Sequence, residues 1–322
     1  MADALTIRPA RAEDRPAVEH ICAHTWEWGD YLPDVWEEWL ADPRGVLQVG
    51  EIDGRVVAVN KITFHQPDQA WLEGMRVDPE VRRQGIARQF VVHDLTYARE
   101  RGARVVRLAT GHSNTAVHTL AAQFGMRRVN EGSLFEAGAR PEAPAPAILG
   151  PEHAARVLAF IRHSPVLAHT HGLYDCGWAG RSLDDRAVAS MLAAGPAVVR
   201  WAATGERPAD LPGDNPAAEH LLARLSPAGE LEALATMLFW AGDEDVWIGY
   251  ADAAPGQADP AAAAAGLAAA LRGHAARLRA GKAKAMLPAI DWLSGAFRAA
   301  GFEQGDWKGE LWTFEKWFDD RS

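Results

Sequence analysis

Residues 77–88 read V-D-P-E-V-R-R-Q-G-I-A-R. A mostly apolar run, residues 70–77, leads into them, and an amphipathic run, residues 86–101, leads out. The pattern predicts a strand, a short loop of basic and small residues, and then a helix. The first turn of a helix leaves backbone N–H groups without partners and carries partial positive charge, so it attracts anions. Gly85 and Ala87 let the backbone come close to a phosphate. Arg82, Arg83 and Arg88 add full charges and forked donors suited to phosphate oxygens. The segment reads as a cradle for a polyphosphate.

Spacing narrows the choice. A dinucleotide fold would show G-x-G-x-x-G and a P-loop G-x-x-x-x-G-K-[ST], and neither is present. What stands here is R-x-x-G-x-A, formed by Arg82, Gly85 and Ala87. This resembles the acyl-CoA pyrophosphate loop of the GNAT N-acetyltransferase superfamily, whose pattern is [QR]-x-x-G-x-[GA]. The surroundings extend the likeness. Residues 6–18, T-I-R-P-A-R-A-E-D-R-P-A-V, are similar to the first strand and helix of that family. Residues 108–126 resemble its second motif, a strand end followed by Asn114, a helix and Gly125.

The resemblance implies an α/β (α+β) fold, with a mixed, mostly antiparallel twisted sheet flanked by helices and two strands splayed apart. It implies acetyl-CoA as co-substrate. Arg82, Arg83, Gln84, Gly85, Ile86, Ala87 and Arg88 would meet the pyrophosphate. The backbones of Met75 and Val77, with Asn114, would meet the pantetheine. The splayed strands would be residues 72–77 and 105–110.

The 322 residues are comfortable for two domains. Net charge is −10, which argues against nucleic acid or an anionic membrane as a partner. Two cysteines, Cys22 and Cys176, lie far apart; a disulfide framework is not expected, and a cytoplasmic location is. No run of about 18 apolar residues suggests a membrane span. The longest apolar run, residues 260–271, is mostly alanine and reads as a buried helix. The twelve histidines show no H-E-x-x-H and no ligand-spaced cysteine pair, so no metal site is expected.

In the first half, strands are expected at residues 5–8, 45–51, 55–64, 70–77 and 103–110, with a turn at Asp53-Gly54. Helices are expected at 12–23, around 32–40, from 86 to a stop at Gly102, and at 115–124; residues 126–136 suggest two short strands. Five of the fourteen residues 137–150 are Pro or Gly, which marks a linker. The second half then repeats the order at an offset near 176–179 residues. V-W-I-G-Y-A at 246–251 echoes A-W-L-E-G-M at 70–75, and A-A-G-F at 299–302 echoes Q-F-G-M at 123–126. Such a period implies duplication.

The chain thus reads as two tandem GNAT-like domains, 1–140 and 151–322, joined by a linker at 141–150. Residues 151–240 read as mostly helical. In the second copy the loop position is D-P-A-A-A-A-A-G-L-A, residues 259–268, with no arginine. A polyalanine helix start without fixed cations is a poor pyrophosphate site, so this copy reads as degenerate. Its role is either structural, covering a sheet edge or making a homodimer, or it is one wall of a substrate cleft.

Acyl transfer to an amine needs a polarised carbonyl, a deprotonated amine and a leaving thiolate. Glu73 is a candidate base, with apolar neighbours Trp71 and Met75 that would raise its pKa; His65 and His112 are alternatives. Many family members carry a tyrosine acid on the seventh residue after the motif asparagine, which is Ala121 here. His118, Ser113 or a water would have to serve, or the thiolate leaves unassisted. Residues 25–39, T-W-E-W-G-D-Y-L-P-D-V-W-E-E-W, set aromatics beside acids. Trp26, Trp28 and Tyr31 could bind a cationic amine, or the helix packs its tryptophans on the core. The reading is an N-acetyltransferase acting on a primary amine of a small molecule. The alternative is a non-catalytic acyl-CoA sensor or interaction module.

Overall fold

The computed structural model describes residues 5–25, 29–209, 217–240, 244–305, 307 and 309–318. The first elements are β1 (Thr6–Pro9), α1 (Arg15–Ala23), α2 (Leu32–Ala41), β2 (Gly45–Ile52), β3 (Arg55–Gln66), β4 (Gln69–Val77), α3 (Ile86–Glu100), β5 (Val105–Gly111), α4 (Thr115–Gln123) and β6 (Arg127–Gly138). Then come β7 (Ala147–Ile148), α5 (Ala154–Arg162), α6 (Pro165–His169), β8 (Leu173–Asp175), β9 (Gly180–Ser182), α7 (Asp185–Thr204), β10 (Ala217–Leu225) and β11 (Leu231–Trp240). The chain ends through β12 (Asp245–Ala253), α8 (Pro260–Arg277), β13 (Lys282–Pro288), α9 (Asp291–Ala299), β14 (Glu303–Gln304) and β15 (Glu310–Trp317).

Two compact units result, and no single cut separates them. The first runs to Ala109, adds Thr115–Arg127 and resumes at Phe314; the second is Thr110–Asn114 with Arg128–Thr313.

In the first unit, β1, β2, β3 and β4 pair antiparallel in sequence order and β5 joins β4 in parallel. A parallel neighbour needs a crossover, and α3 supplies it. One face of the sheet is covered by α1 and α2, which bury Val18, Ile21, Leu32 and Trp36 against Leu47, Val49 and Val59. The other takes α3, whose Ile86 and Phe90 pack on Val57 and Ala58, and whose Ala98 packs among Ile62, Leu72 and Val106. The helix ends at Gly102, with φ +85°, a stop that a residue without Cβ adopts readily. The end of β15 belongs to this unit: buried Glu315 accepts from the Nε of buried Arg107 at 3.2 Å, and Arg127 donates to its other oxygen at 2.9 Å.

In the second unit, β7, β10, β11 and β12 are antiparallel, β13 is parallel to β12, and β6 is antiparallel to β13. Three sequence expectations change here. Residues 126–136 do not make two strands; β6 is one strand, held extended by unbroken pairing from Gly132↔Pro288 to Gly138↔Lys282. Residues 151–240 are not mostly helical: β10 and β11 are long strands, because pairing with β12 overrides the helix preference of their leucines and alanines. The Pro-rich segment after β6 does not run free; Ala139 and Arg140 donate to Gly281 and Arg272, and Ile148 pairs with Leu222.

Among the described residues, one helix, α7, is long and apolar enough to cross a membrane by length and composition. Half of it is buried within the unit, and Trp201 meets Phe239 edge-on at 4.8 Å, as in a core helix. The alanine-rich α8 is buried, as its composition predicts, through Ala264, Leu267, Ala268 and Leu271.

Buried polar groups in this unit include His220 and His274, whose Nε2 atoms lie 3.0 Å apart. The Nδ1 of His220 faces the Ala218 carbonyl at 3.3 Å and so carries the proton. Its Nε2 is therefore the acceptor and that of His274 the donor, and both rings are neutral. Burial pushes His220 down to about 4 and His274 well below its ordinary value. The unfolded rings take up protons near the usual 6.5, so native stability falls as pH drops below that value. Equilibrium denaturation should show a loss of about 3 kcal/mol from His220 alone between pH 7 and pH 4. Replacing His220 by leucine should flatten this dependence; an unchanged profile would show the pair to be irrelevant.

Candidate active site

In β4, Gly74 decides the geometry. Lys61↔Glu73 and Val59↔Arg76 are paired across β3 and β4, so Asn60 alone stands opposite Gly74 and Met75. This is a β-bulge. Gly74 adopts φ +69°, and a Cβ there would lie 2.5 Å from Cζ3 of Trp39. Both facts require glycine. The parallel ladder to β5 holds at Gln69↔Val105, Ala70↔Val106 and Trp71↔Arg107 and goes no further. Beyond it β4 continues to Val77 and β5 to Gly111. The strands part where the sequence predicts a splayed pair, leaving the β4 edge at Met75 and Val77 without ladder partners in β5.

After β4 the chain is pinned. Arg55 donates to Asp78 and Glu80, Asp78 accepts from the Glu80 N–H at 2.9 Å, and the Asp78 N–H donates to Val57 at 2.9 Å. Arg82 turns back and donates to the Val77 carbonyl at 3.1 Å. Arg83 and Gly85 are both left-handed, with φ 65° and 79°. Gly85 is the N-cap of α3 and offers no side chain to the first N–H groups of the helix. A Cβ on Gly85 would meet nothing within 4 Å, so the space above the helix start is open. Arg83 and Gln84 are exposed, Ile86 is buried beneath, Ala87 is partly covered, and the guanidinium of Arg88 lies 5.8 Å from the Phe124 ring. An uncapped helix start bordered by exposed arginines fits an anionic ligand.

Before the bulge in β4, Glu73 accepts a 2.5 Å hydrogen bond from the Thr63 hydroxyl. Burial raises its pKa; the Thr63 donor and the charge of Lys61 partly offset that rise. Lys61 is itself buried, with Nζ 2.9 Å from Asp42. Burial opposes ionisation of Asp42, but hydrogen bonds from Arg44 and Lys61 outweigh it and hold the carboxyl at about 2. A group titrating above its usual range thus sits beside a permanently charged ion pair. Thr63, Lys61, Asp42 and the bulge at Gly74 escaped the sequence reading. Two signals were available: a glycine inside a strand, and polar residues alternating in N-K-I-T-F-H, residues 60–65.

Other sequence candidates fall elsewhere. The His112 N–H donates to Glu310 at 2.8 Å and its Nδ1 accepts from the Glu310 N–H at 3.3 Å. His118 packs 5.5 Å from the Phe314 ring. The His65 ring lies 6.1 Å from that of Trp71. Asn114 donates to the Thr110 hydroxyl at 2.9 Å. Ala121 is buried. Trp26 and Trp28 lie outside the described residues. Tyr31 is half exposed, and its ring lies 5.5 Å from the guanidinium of Arg76, which donates to both oxygens of Asp30. The aromatic–acid pairing offered to a cation at these two residues is occupied by the chain's own arginine, while Trp36 is buried in the core.

The second unit repeats the sheet and not the loop. Its parallel ladder ends at Ile248↔Ala285, and Gly249 is the extra residue between Ile248↔Met237 and Tyr250↔Thr236. The start of α8, however, is capped by the Asp259 side chain, which accepts from the Ala262 N–H at 2.9 Å. A carboxylate occupies the place where an anion would bind.

Comparison with known proteins agrees with this geometry. The sequence profile of the acetyltransferase (GNAT) family matches residues 15–126. A GCN5-related N-acetyltransferase from Sphaerobacter thermophilus superposes with a TM-score of 0.56 at 16% identity, covering 97% of this chain and 95% of the other. A tandem GNAT protein from the clavulanic acid biosynthesis pathway gives 0.54 at 16% identity, covering 98% of each chain. No curated protein matches the sequence.

The bulge can be tested against a simple turn. Gly54 has φ +76° with open space around it, so Gly54→Ala should cost only the backbone strain, about 1 kcal/mol. Gly74→Ala adds overlap with Trp39 and should cost about 1–3 kcal/mol more by urea denaturation. Equal losses would show that Trp39 does not constrain the strand.

Proposed function

We propose, from the premise that this chain belongs to the GNAT family in tandem form, that its first unit transfers an acetyl group from acetyl-CoA to a primary amine of a small molecule. The observation that carries the reading is the uncapped start of α3, with left-handed Arg83 and Gly85, directly after a strand splayed by a bulge. The residues fit the co-substrate. Arg82, Arg83, Gln84, Gly85, Ile86, Ala87 and Arg88 would hold the pyrophosphate, the edge of β4 at Met75 and Val77 the pantetheine, and Asn114 would assist.

When bound, acetyl-CoA supplies an activated acyl group. Glu73 takes the proton that the amine nitrogen loses as the C–N bond forms, directly or through one water. Its burial raises its pKa toward neutrality, against the opposing pull of the Thr63 donor and the Lys61 charge. The C–S bond breaks and the sulfur leaves as thiolate, a tolerable leaving group near neutral pH. His112 and His118 are the remaining candidates for proton transfer. Half-exposed Tyr31, with Trp26 and Trp28, would border the acceptor. The free, buried cysteines Cys22 and Cys176 suit a reducing, cytoplasmic setting.

One observation favours a second reading. Buried Ala121 stands where the family resemblance places a tyrosine acid, as expected of an acyl-CoA sensor that binds without turnover.

Calorimetry should show micromolar acetyl-CoA binding by the intact protein, weakened at least about 100-fold by Arg83→Glu with Gly85→Asp. No binding by the intact protein would overturn the acetyltransferase reading, and unchanged binding by the variant would move the cofactor to another site. An amine screen for release of free thiol then separates enzyme from sensor.

With an acceptor in hand, Glu73→Gln should lower kcat by about 10²–10⁴ while acetyl-CoA still binds. Thr63→Val removes a donor to the charged carboxylate, so the pKa of Glu73 rises and the acid limb of kcat/KM moves to higher pH. A limb that stays in place would assign the base elsewhere.

A further inference from the structure

The face of α3 that meets the sheet carries residues 86, 90, 94 and 98. Three of them, Ile86, Phe90 and Ala98, pack in the apolar layer with Ala58 and Ile62 of β3. The fourth is Asp94, only 1% exposed. A carboxylate in such a stripe is costly unless hydrogen bonds compensate it. Here two buried amides do so. Asn60 Nδ2 donates to one oxygen at 2.6 Å and Gln48 Nε2 to the other at 3.0 Å. His93 adds a longer contact, its Nδ1 lying 3.3 Å from the oxygen that Gln48 meets. Burial raises the pKa of Asp94, and these three neighbours hold the rise back.

The place where these groups meet is specific. Gln48 and Asn60 stand directly opposite each other across β2 and β3. Asn60 is also the residue that faces both Gly74 and Met75 across the bulge. The carboxylate therefore holds the strand position on which the bulge is centred. A slip of β3 by one residue would carry Asn60 to the far face and break its bond to Asp94. Along the helix, Asp94 lies about two turns from Ile86, on the same continuous element. That helix start is the proposed pyrophosphate site. An apolar side chain at position 94 would fill the layer, but it would hold no particular strand residue.

We propose that Asp94 is a positioning residue for acetyl-CoA. Through Asn60 and Gln48 it fixes the helix that grips the pyrophosphate against the bulge that opens the acyl end of the cleft. It thereby sets the span between the two ends of the co-substrate. The proposal rests on the acetyl-CoA reading above. A ligand held at both ends gains affinity from the second grip only when the separation of the grips matches its length. Asp94 lies at neither end. A loosened tie leaves each grip in place and loses the gain from joining them.

The test compares two ligands by calorimetry on the full-length protein: acetyl-CoA, which uses both ends, and ADP, which carries the pyrophosphate alone. Asp94→Asn keeps the side-chain shape but turns an N–H towards one of the two amides. It should weaken acetyl-CoA at least about tenfold and leave ADP within about twofold of the parent. Adding Asn60→Asp exchanges carboxylate and amide and completes the bonds again, so the double variant should recover acetyl-CoA affinity to within about threefold. Thermal denaturation shows whether each variant is folded. Where Asp94→Asn is not, Gln48→Met, which removes one donor and keeps the acceptor, serves for the same comparison with the same expected outcome. Unchanged acetyl-CoA binding, equal weakening of both ligands, or no recovery in the double variant would each overturn the positioning role. No acetyl-CoA binding by the parent would overturn the acetyl-CoA reading and this proposal with it; every other failure leaves that reading standing.

Discussion

The absence of one Cβ, at Gly74, controls the first unit. With a side chain there, β4 would meet Trp39 and could not adopt φ +69° without strain. Without the bulge, β4 would keep its register beside β5, and the edge at Met75 and Val77 would be closed by ladder hydrogen bonds. The bulge also sets which side chains share a face. Just before it, Glu73 lies against Thr63 and next to the Lys61–Asp42 pair; burial raises the carboxyl's pKa, and the Thr63 donor and the Lys61 charge hold the rise back. The arginine loop follows a strand that already diverges.

The duplication separates these two properties. Gly249 reproduces the divergence in the second unit, where the parallel ladder again stops after a few pairs. The loop is replaced by a capped alanine helix. A sheet can keep an open cleft without keeping a phosphate site, because the cleft depends on a glycine in a strand and the phosphate site on cations in a loop.

Much of this was legible in the sequence, for a reason that also explains the rest. The strand, loop and helix around Arg82 and Gly85 are local, and local rules of propensity, capping and spacing describe them. The repeat was legible because both copies keep their turn glycines. The Lys61–Asp42 pair, by contrast, links residues 19 positions apart through packing of a helix on a strand, which no period encodes. The segment 25–39 shows the same limit: Asp30 and Tyr31 are beside Arg76, and Arg76 stands 46 positions from Asp30. Residues 217–240 look helical from their leucines and alanines and become strands only because β12 is there to pair with.

The way the chain closes the first unit bears on how it is made. Arg107 and Glu315 are both buried and are separated by 208 positions. During synthesis the arginine emerges long before its carboxylate. Until Glu315 is made, the first unit lacks this partner, and a cation that belongs in its interior must remain hydrated. The usual order, in which an N-terminal domain finishes folding while the rest is still being made, is unavailable to this chain. The first unit cannot mature ahead of the unit that follows it, so the two copies are tied into one folding event by a strand made after most of the second unit.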